Sequence, residues 1–205
     1  LLVIFHTLPS YAEDAVTEVG YKPTLVKEKK IKASFVNLKP MVRTVGEDSK
    51  FALYEGLPLL NGDPEELDPN LDPKKIVNRF GFNFYNTPNK VEAEDIKNLK
   101  SLIKTPKSFK KFGGFKFCGG FHPDYSLVWR TGDEAVEIHI CFGCHELKAF
   151  RKGVEVYCDI PDSTYPKLKQ LLQKYRKQRV EPAAKYHDTK RRMQALLSRL
   201  LHVRL

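Results

Sequence analysis

All four cysteines of the chain lie between Cys118 and Cys158. Cys141 and Cys144 are two residues apart and His145 follows at once, the spacing that attaches a c-type haem through two thioether bonds and an axial imidazole. Taken with Cys118 and His122, the same pair offers zinc three thiolates and an imidazole. In an oxidising compartment Cys118, Cys141, Cys144 and Cys158 are instead read as disulfides, in any of three pairings that spacing does not choose among. A fourth chemistry is thiol exchange by Cys141 and Cys144, which needs a thiolate favoured by a helix N-terminus or by a cation such as His145.

Local context ranks these readings. The motif continues a strand pattern instead of opening a helix, and no Met follows it before Met193, which argues against haem. Zinc is weakened by the expected oxidising compartment, and thiol exchange by the lack of a βαβ pattern, so structural disulfide leads. His122 beside Asp124 could form a base and its orienter, although Pro123-Asp124 at a strand start reads more simply as turn chemistry. No serine nucleophile elbow, phosphate loop or pair of carboxylates stands out.

Two strands must carry this cluster. Tyr125 to Trp129 and Val136 to Ile140 alternate apolar and polar with period 2, and Gly132-Asp133 between them suits a type II′ hairpin turn. That loop predicts Trp129 opposite Val136, Leu127 opposite Ile138 and Tyr125 opposite Ile140, with all six on one face. A second hairpin is expected from His145–Phe150 and Val154–Cys158 around Arg151-Lys152-Gly153, placing Cys158 beside His145 or Glu146. Cys118, His122, Cys141, Cys144, His145 and Cys158 then gather at one end of the sheet.

The fold expected is α+β: an antiparallel hairpin meander, joined by Phe51–Tyr54, with two helices on its apolar face and a basic C-terminal helix. Ile96, Leu99 and Ile103 recur at helical spacing with acids early and lysines late, predicting a helix over 91–104. A second helix over 163–178 is expected behind an Asp162-Ser163-Thr164 cap, with Tyr165, Leu168, Leu171, Leu172 and Tyr175 as its buried stripe. Phe80–Tyr85 reads as a buried strand or bulge, and Lys107–Lys116 as a solvated connector with core-seeking phenylalanines.

Residues 1–12 read as the remnant of a secretory signal, apolar and ending in small residues before Glu13-Asp14. Residues 13–50 are an N-terminal extension, 51–179 the domain and 180–205 a basic amphipathic tail. No stretch approaches a membrane span. The net charge of +10 is concentrated in residues 165–205, which hold twelve basic residues against Glu181 and Asp188. An anionic membrane surface or an acidic partner would suit that segment; nothing specific to nucleic acid is present.

Tyr54-Glu55-Gly56-Leu57-Pro58, Gly81-Phe82-Asn83-Phe84-Tyr85, Cys118-Gly119-Gly120-Phe121-His122-Pro123-Asp124 and Cys141-Phe142-Gly143-Cys144-His145-Glu146 together resemble an exported bacterial protein family. The resemblance covers about residues 51 to 178 and implies one domain there and nothing about mechanism. The function expected is a non-enzymatic, extracytoplasmic (periplasmic or secreted) domain with a structural Cys/His cluster, disulfide or zinc, that binds a partner. The alternative is an electron-transfer protein using Cys141-x-x-Cys144-His145 for haem or thiol exchange.

Overall fold

The computed structural model describes residues 31–58, 71–114, 116 and 120–179. In chain order these form β1 (Ile31–Ala33), α1 (Leu38–Arg43), β2 (Lys50–Glu55), β3 (Ile76–Arg79), β4 (Phe82–Tyr85), α2 (Ala93–Lys104), β5 (Lys110–Lys111), β6 (Tyr125–Thr131), β7 (Glu134–Cys141), β8 (Glu146–Arg151), β9 (Val154–Asp159) and α3 (Tyr165–Leu172). The main sheet runs β1-β9-β8-β7-β6-β2, with β5 also on β9, and all its pairings are antiparallel except β1 with β9. The fold is α+β.

The β6–β7 hairpin has the expected register, with Trp129 opposite Val136, Leu127 opposite Ile138 and Tyr125 opposite Ile140. Gly132 takes φ +57°, a conformation that costs a residue without Cβ little. β2 then lies antiparallel along β6, with Leu53 opposite Leu127. Leu53, Tyr125, Leu127, Trp129, Ile138, Ile140 and Leu147 join Leu38 and Met41 of α1, Leu99 and Ile103 of α2, and Leu168 and Leu172 of α3 in one core. Burying each such side chain stabilises by about 1.5–3 kcal/mol.

Several elements differ from expectation. Residues 31–50 are part of the sheet and core: β1 extends the sheet, and Leu38, Met41 and Val42 bury one side of α1. Phe80-Gly81 is not strand but the tight turn of a separate β3–β4 hairpin, both residues at positive φ. Phe80 tolerates this because its ring stacks on Phe150 at 4.3 Å. The β8–β9 loop is two residues, Lys152-Gly153, again both at positive φ, so Cys158 pairs with Leu147 and Asp159 with Glu146. Within the Lys107–Lys116 connector, Lys110–Lys111 pair with the end of β9 and Phe109 is buried.

The helix expected over 163–178 is α3 alone, followed by a single 3-10 turn at Gln173–Tyr175. Thr164 makes no side-chain capping bond. The early end has a clear cause: the buried Glu55 carboxylate accepts the backbone N–H groups of Lys177, Gln178 and Arg179 at 2.8–2.9 Å. A carboxylate engaged by three donors outcompetes continuation of the helical ladder.

Residues 1–12, the rest of the extension before residue 31, Cys118 and the tail 180–205 lie outside the described residues. Among the described residues no helix is long and apolar enough to cross a membrane.

Candidate functional site

β7 runs straight into the cysteine motif. Cys141 is its last residue, Phe142–His145 form the turn, and Glu146 opens β8 opposite Cys141. Three contacts hold this turn. Phe142 N donates to the Asp124 carboxylate at 2.7 Å, Asp124 N donates to the Ile140 carbonyl at 2.7 Å, and Ile160 N donates to the His145 carbonyl at 2.8 Å. His145, at φ +54°, lays its ring on Tyr165 at 3.8 Å, with Nδ1 3.8 Å from the Asp162 carboxylate.

Cys144 is disulfide-bonded, whereas Cys141 and Cys158 are buried free thiols. The Cys144 sulfur lies 3.1 Å from the Gly120 carbonyl oxygen. Burial pushes the Cys141 thiol up to about 11, with Asp124 adding to the effect while backbone groups of His122 and Cys144 partly oppose it. Burial, reinforced by Asp159, pushes Cys158 up to about 12. Cys141 and Cys158 also occupy opposite faces of the sheet. Side chains alternate along β7, and Cys158 shares a face with Leu147 and Ile140, whereas Cys141 aligns with Glu146 and Asp159.

The expected gathering at one sheet end is therefore divided between two faces. Among the described residues no three His, Cys, Asp or Glu side chains converge so as to hold a metal ion. Of the four candidate zinc ligands, His122, Cys141 and Cys144 do not converge as three, and Cys118 lies outside the described residues; a sulfur committed to a disulfide is available neither as a zinc thiolate nor as a haem thioether. The residues in this arrangement do not fit haem: Cys141 is buried and the His145 ring is stacked on Tyr165.

His122 and Asp124 do come together, with partners that the sequence did not advertise. Arg176 and Arg179, in the extended segment after α3, donate to Asp124 Oδ1 at 2.9 and 2.6 Å. Burial, with the Arg179 charge alongside, lowers His122 to about 4. The histidine is thus neutral at physiological pH, and the neighbouring Asp124 carboxylate is engaged by two arginines and a backbone N–H. This is the chemistry of a clamp, joining the segment before β6, the β7–β8 turn and the segment after α3.

The opposite sheet face is also covered. Period 2 places Glu137, His139, Glu146 and Glu155 opposite the apolar set, where a half-buried strand would expose them, yet all four are buried. Phe80, Phe82 and Phe84 of the β3–β4 hairpin surround the His139 ring with centroids 4.9–6.2 Å away. Beneath them Arg79 makes a bidentate pair with Glu137 at 2.8 Å, while Ser126 donates to Glu137 Oε1 and His139 Nε2 lies 2.7 Å from the same oxygen. Burial alone would raise the Glu137 carboxyl; His139 and Arg79 outweigh it and hold it at about 2.

Further along this face Lys116 bonds Asp159 at 2.8 Å and Glu146 at 3.2 Å, and Lys148 lies over the Phe82, Phe121 and Tyr157 rings while pairing with Glu155. Burial works against the Lys116 charge, but the two carboxylates outweigh it and raise its pKa. Sequence reasoning missed Glu55, Arg79, Lys116, Glu137, Arg176 and Arg179. One signal was available: the aromatic run Phe80–Phe84 requires a second surface on which to pack. No protein-family model, curated protein or solved structure matches the chain.

Proposed function

We propose that this chain is a non-enzymatic binding domain of an exported protein, stapled by a disulfide through Cys144. The observation that carries the reading is the state of the cysteines: one disulfide-bonded at the β7–β8 turn, with Cys141 and Cys158 buried and their thiols pushed to about 11 and about 12. Nucleophilic or exchanging cysteines need the opposite shift and an accessible sulfur. A persistent disulfide belongs to an oxidising compartment, which supports export. With Cys141 and Cys158 free, Cys118 is the cysteine left in the sequence to pair with Cys144, and we include that pairing in the proposal. The remaining polar groups of the site act on one another: Asp124 on Arg176 and Arg179, Glu55 on backbone N–H groups, Glu137 on Arg79.

Differential alkylation of the protein purified from its native compartment, followed by peptide mapping, tests this. The expected result is one Cys118–Cys144 disulfide and two thiols that react only after unfolding, with no Soret band and no stoichiometric zinc. Rapid labelling of Cys141 in the native protein, or a Soret band, would overturn the reading in favour of electron transfer or thiol exchange.

A further inference from the structure

Past the 3-10 turn at Gln173–Tyr175 the chain leaves the core. Tyr175 is the last described residue to join the apolar cluster, and Arg176, Lys177, Gln178 and Arg179 form neither helix nor strand. Polar contacts hold these four residues. Glu55 Oε2 accepts the N–H groups of Lys177 and Gln178, and Oε1 that of Arg179. Asp124 Oδ1 accepts from both the Arg176 and the Arg179 guanidinium, and Gln178 Nε2 donates to the Thr87 carbonyl at 3.2 Å.

The two carboxylates are positioned by the sheet, not by the segment they hold. Glu55 is set opposite Tyr125 in the β2–β6 ladder. Asp124 N bonds the Ile140 carbonyl, the Asp124 carbonyl accepts from Gly56 N, and Phe142 N occupies Oδ2, so Oδ1 is left for the two arginines. Both side chains are buried. A buried carboxylate needs a cation or a set of donors; among the described residues, the Phe142 N–H and residues 176–179 are what supply them. The sequence requirement is specific. Successive N–H groups of an extended chain point to opposite sides, so three that converge on Glu55 need a curled backbone, with an arginine at each end to reach Asp124.

We propose that residues 176–179 are a releasable strap, a ligand in cis of the Glu55–Asp124 cleft, which an Arg-x-x-Arg segment of another chain can replace. The strap is retained by polar contacts and by the high effective concentration of a tethered segment. Without apolar burial of its own, it opens while the core stays closed. This builds on the binding role proposed above and names the class of partner; the cysteine state is read by alkylation, so either reading can fail alone.

Amide hydrogen exchange in the full, unmodified chain, followed by NMR, tests the strap. The Lys177, Gln178 and Arg179 amides should exchange together, faster than those of β7 and β8, and at rates that low urea does not change, because opening the strap exposes little surface. The peptide acetyl-Arg-Lys-Gln-Arg-amide should trap the open cleft and accelerate these three amides in proportion to its concentration, about tenfold at ten times its Kd for that cleft. The β7 and β8 amides should be unaffected. Acetyl-Arg-Arg-Lys-Gln-amide has the same composition and charge but adjacent arginines, and should have little effect. Exchange of the three amides only through global unfolding, no acceleration by the first peptide, or equal acceleration by the second would each overturn the proposal.

Discussion

At the scale of the residue, this domain uses its ionisable groups as fasteners, and its response to acid follows from where their pKa values have moved. His122 titrates at about 4 when folded against 6.5 in the ordinary state, so the unfolded chain binds more protons between those values. Its neutral form favours the fold above pH 6.5, and that contribution is lost as pH falls towards 4. Glu137, held at about 2 against 4.5, contributes above pH 4.5 and is lost as pH falls through about 2. Urea denaturation across pH should show stability declining in two stages. His122→Gln should flatten the upper stage and leave the lower. Glu137→Gln should remove the lower stage and cost about 3–5 kcal/mol at neutral pH, because Arg79 loses its buried partner. A stability profile in His122→Gln parallel to that of the parent between pH 6.5 and 4 would contradict the assignment.

At the scale of the element, the end of β2 is where separate parts of the chain are locked together. Glu55 anchors the segment after α3. Beside it Gly56 N donates to the Asp124 carbonyl at 2.8 Å, and a Cβ built on Gly56 would stand 2.0 Å from the Pro123 carbonyl oxygen. That obstruction is backbone, which cannot swing aside as a side chain does. Gly56→Ala should therefore destabilise by at least about 1–3 kcal/mol, the usual range for an overpacked site, and should loosen the Asp124 clamp. Thermal unfolding and amide exchange at Phe142, whose N–H bonds Asp124, would measure both; a melting temperature equal to the parent's would refute the close approach as the reason for glycine here. Gly132 makes a useful control, since a Cβ there meets nothing and only its positive φ opposes substitution.

At the scale of the whole molecule, the charge distribution sets what the chain can approach. The excess in residues 165–205 equals the net charge of the entire chain, +10. Met193, Leu196, Leu197, Leu200 and Leu201 in its last part recur at helical spacing, the pattern of a segment lying on an anionic lipid surface, where each basic residue adds about 1 kcal/mol. Binding to vesicles containing an anionic lipid should be lost on removing residues 181–205 and suppressed at ~0.5 M salt, where the Debye length shrinks to a few ångström. Sedimentation with vesicles would check this, and binding that survived either treatment would defeat the idea.

How much of this was legible in the sequence follows from the range over which the physics acts. The β6–β7 register could be read directly, since period-2 alternation and a Gly-Asp loop are local and a one-residue slip would expose the whole apolar set. The α2 stripe and its charge order were equally local. Alternation says which side chains share a face, but not what covers the other one: Glu137 and His139 read as solvent-facing until the β3–β4 hairpin, more than fifty residues earlier in sequence, is seen packed on them. The end of α3 was hidden for the same reason, its N–H competitor Glu55 lying over a hundred residues away. The cysteine spacing likewise allowed haem, zinc and disulfide alike. Sequence alone determined that Cys141 and Cys144 sit at a strand end. Only tertiary structure decided their burial, the placement of Cys141 and Cys158 on opposite faces of the sheet, and the linkage of Cys144, because sulfur chemistry depends on neighbours that chain spacing does not specify.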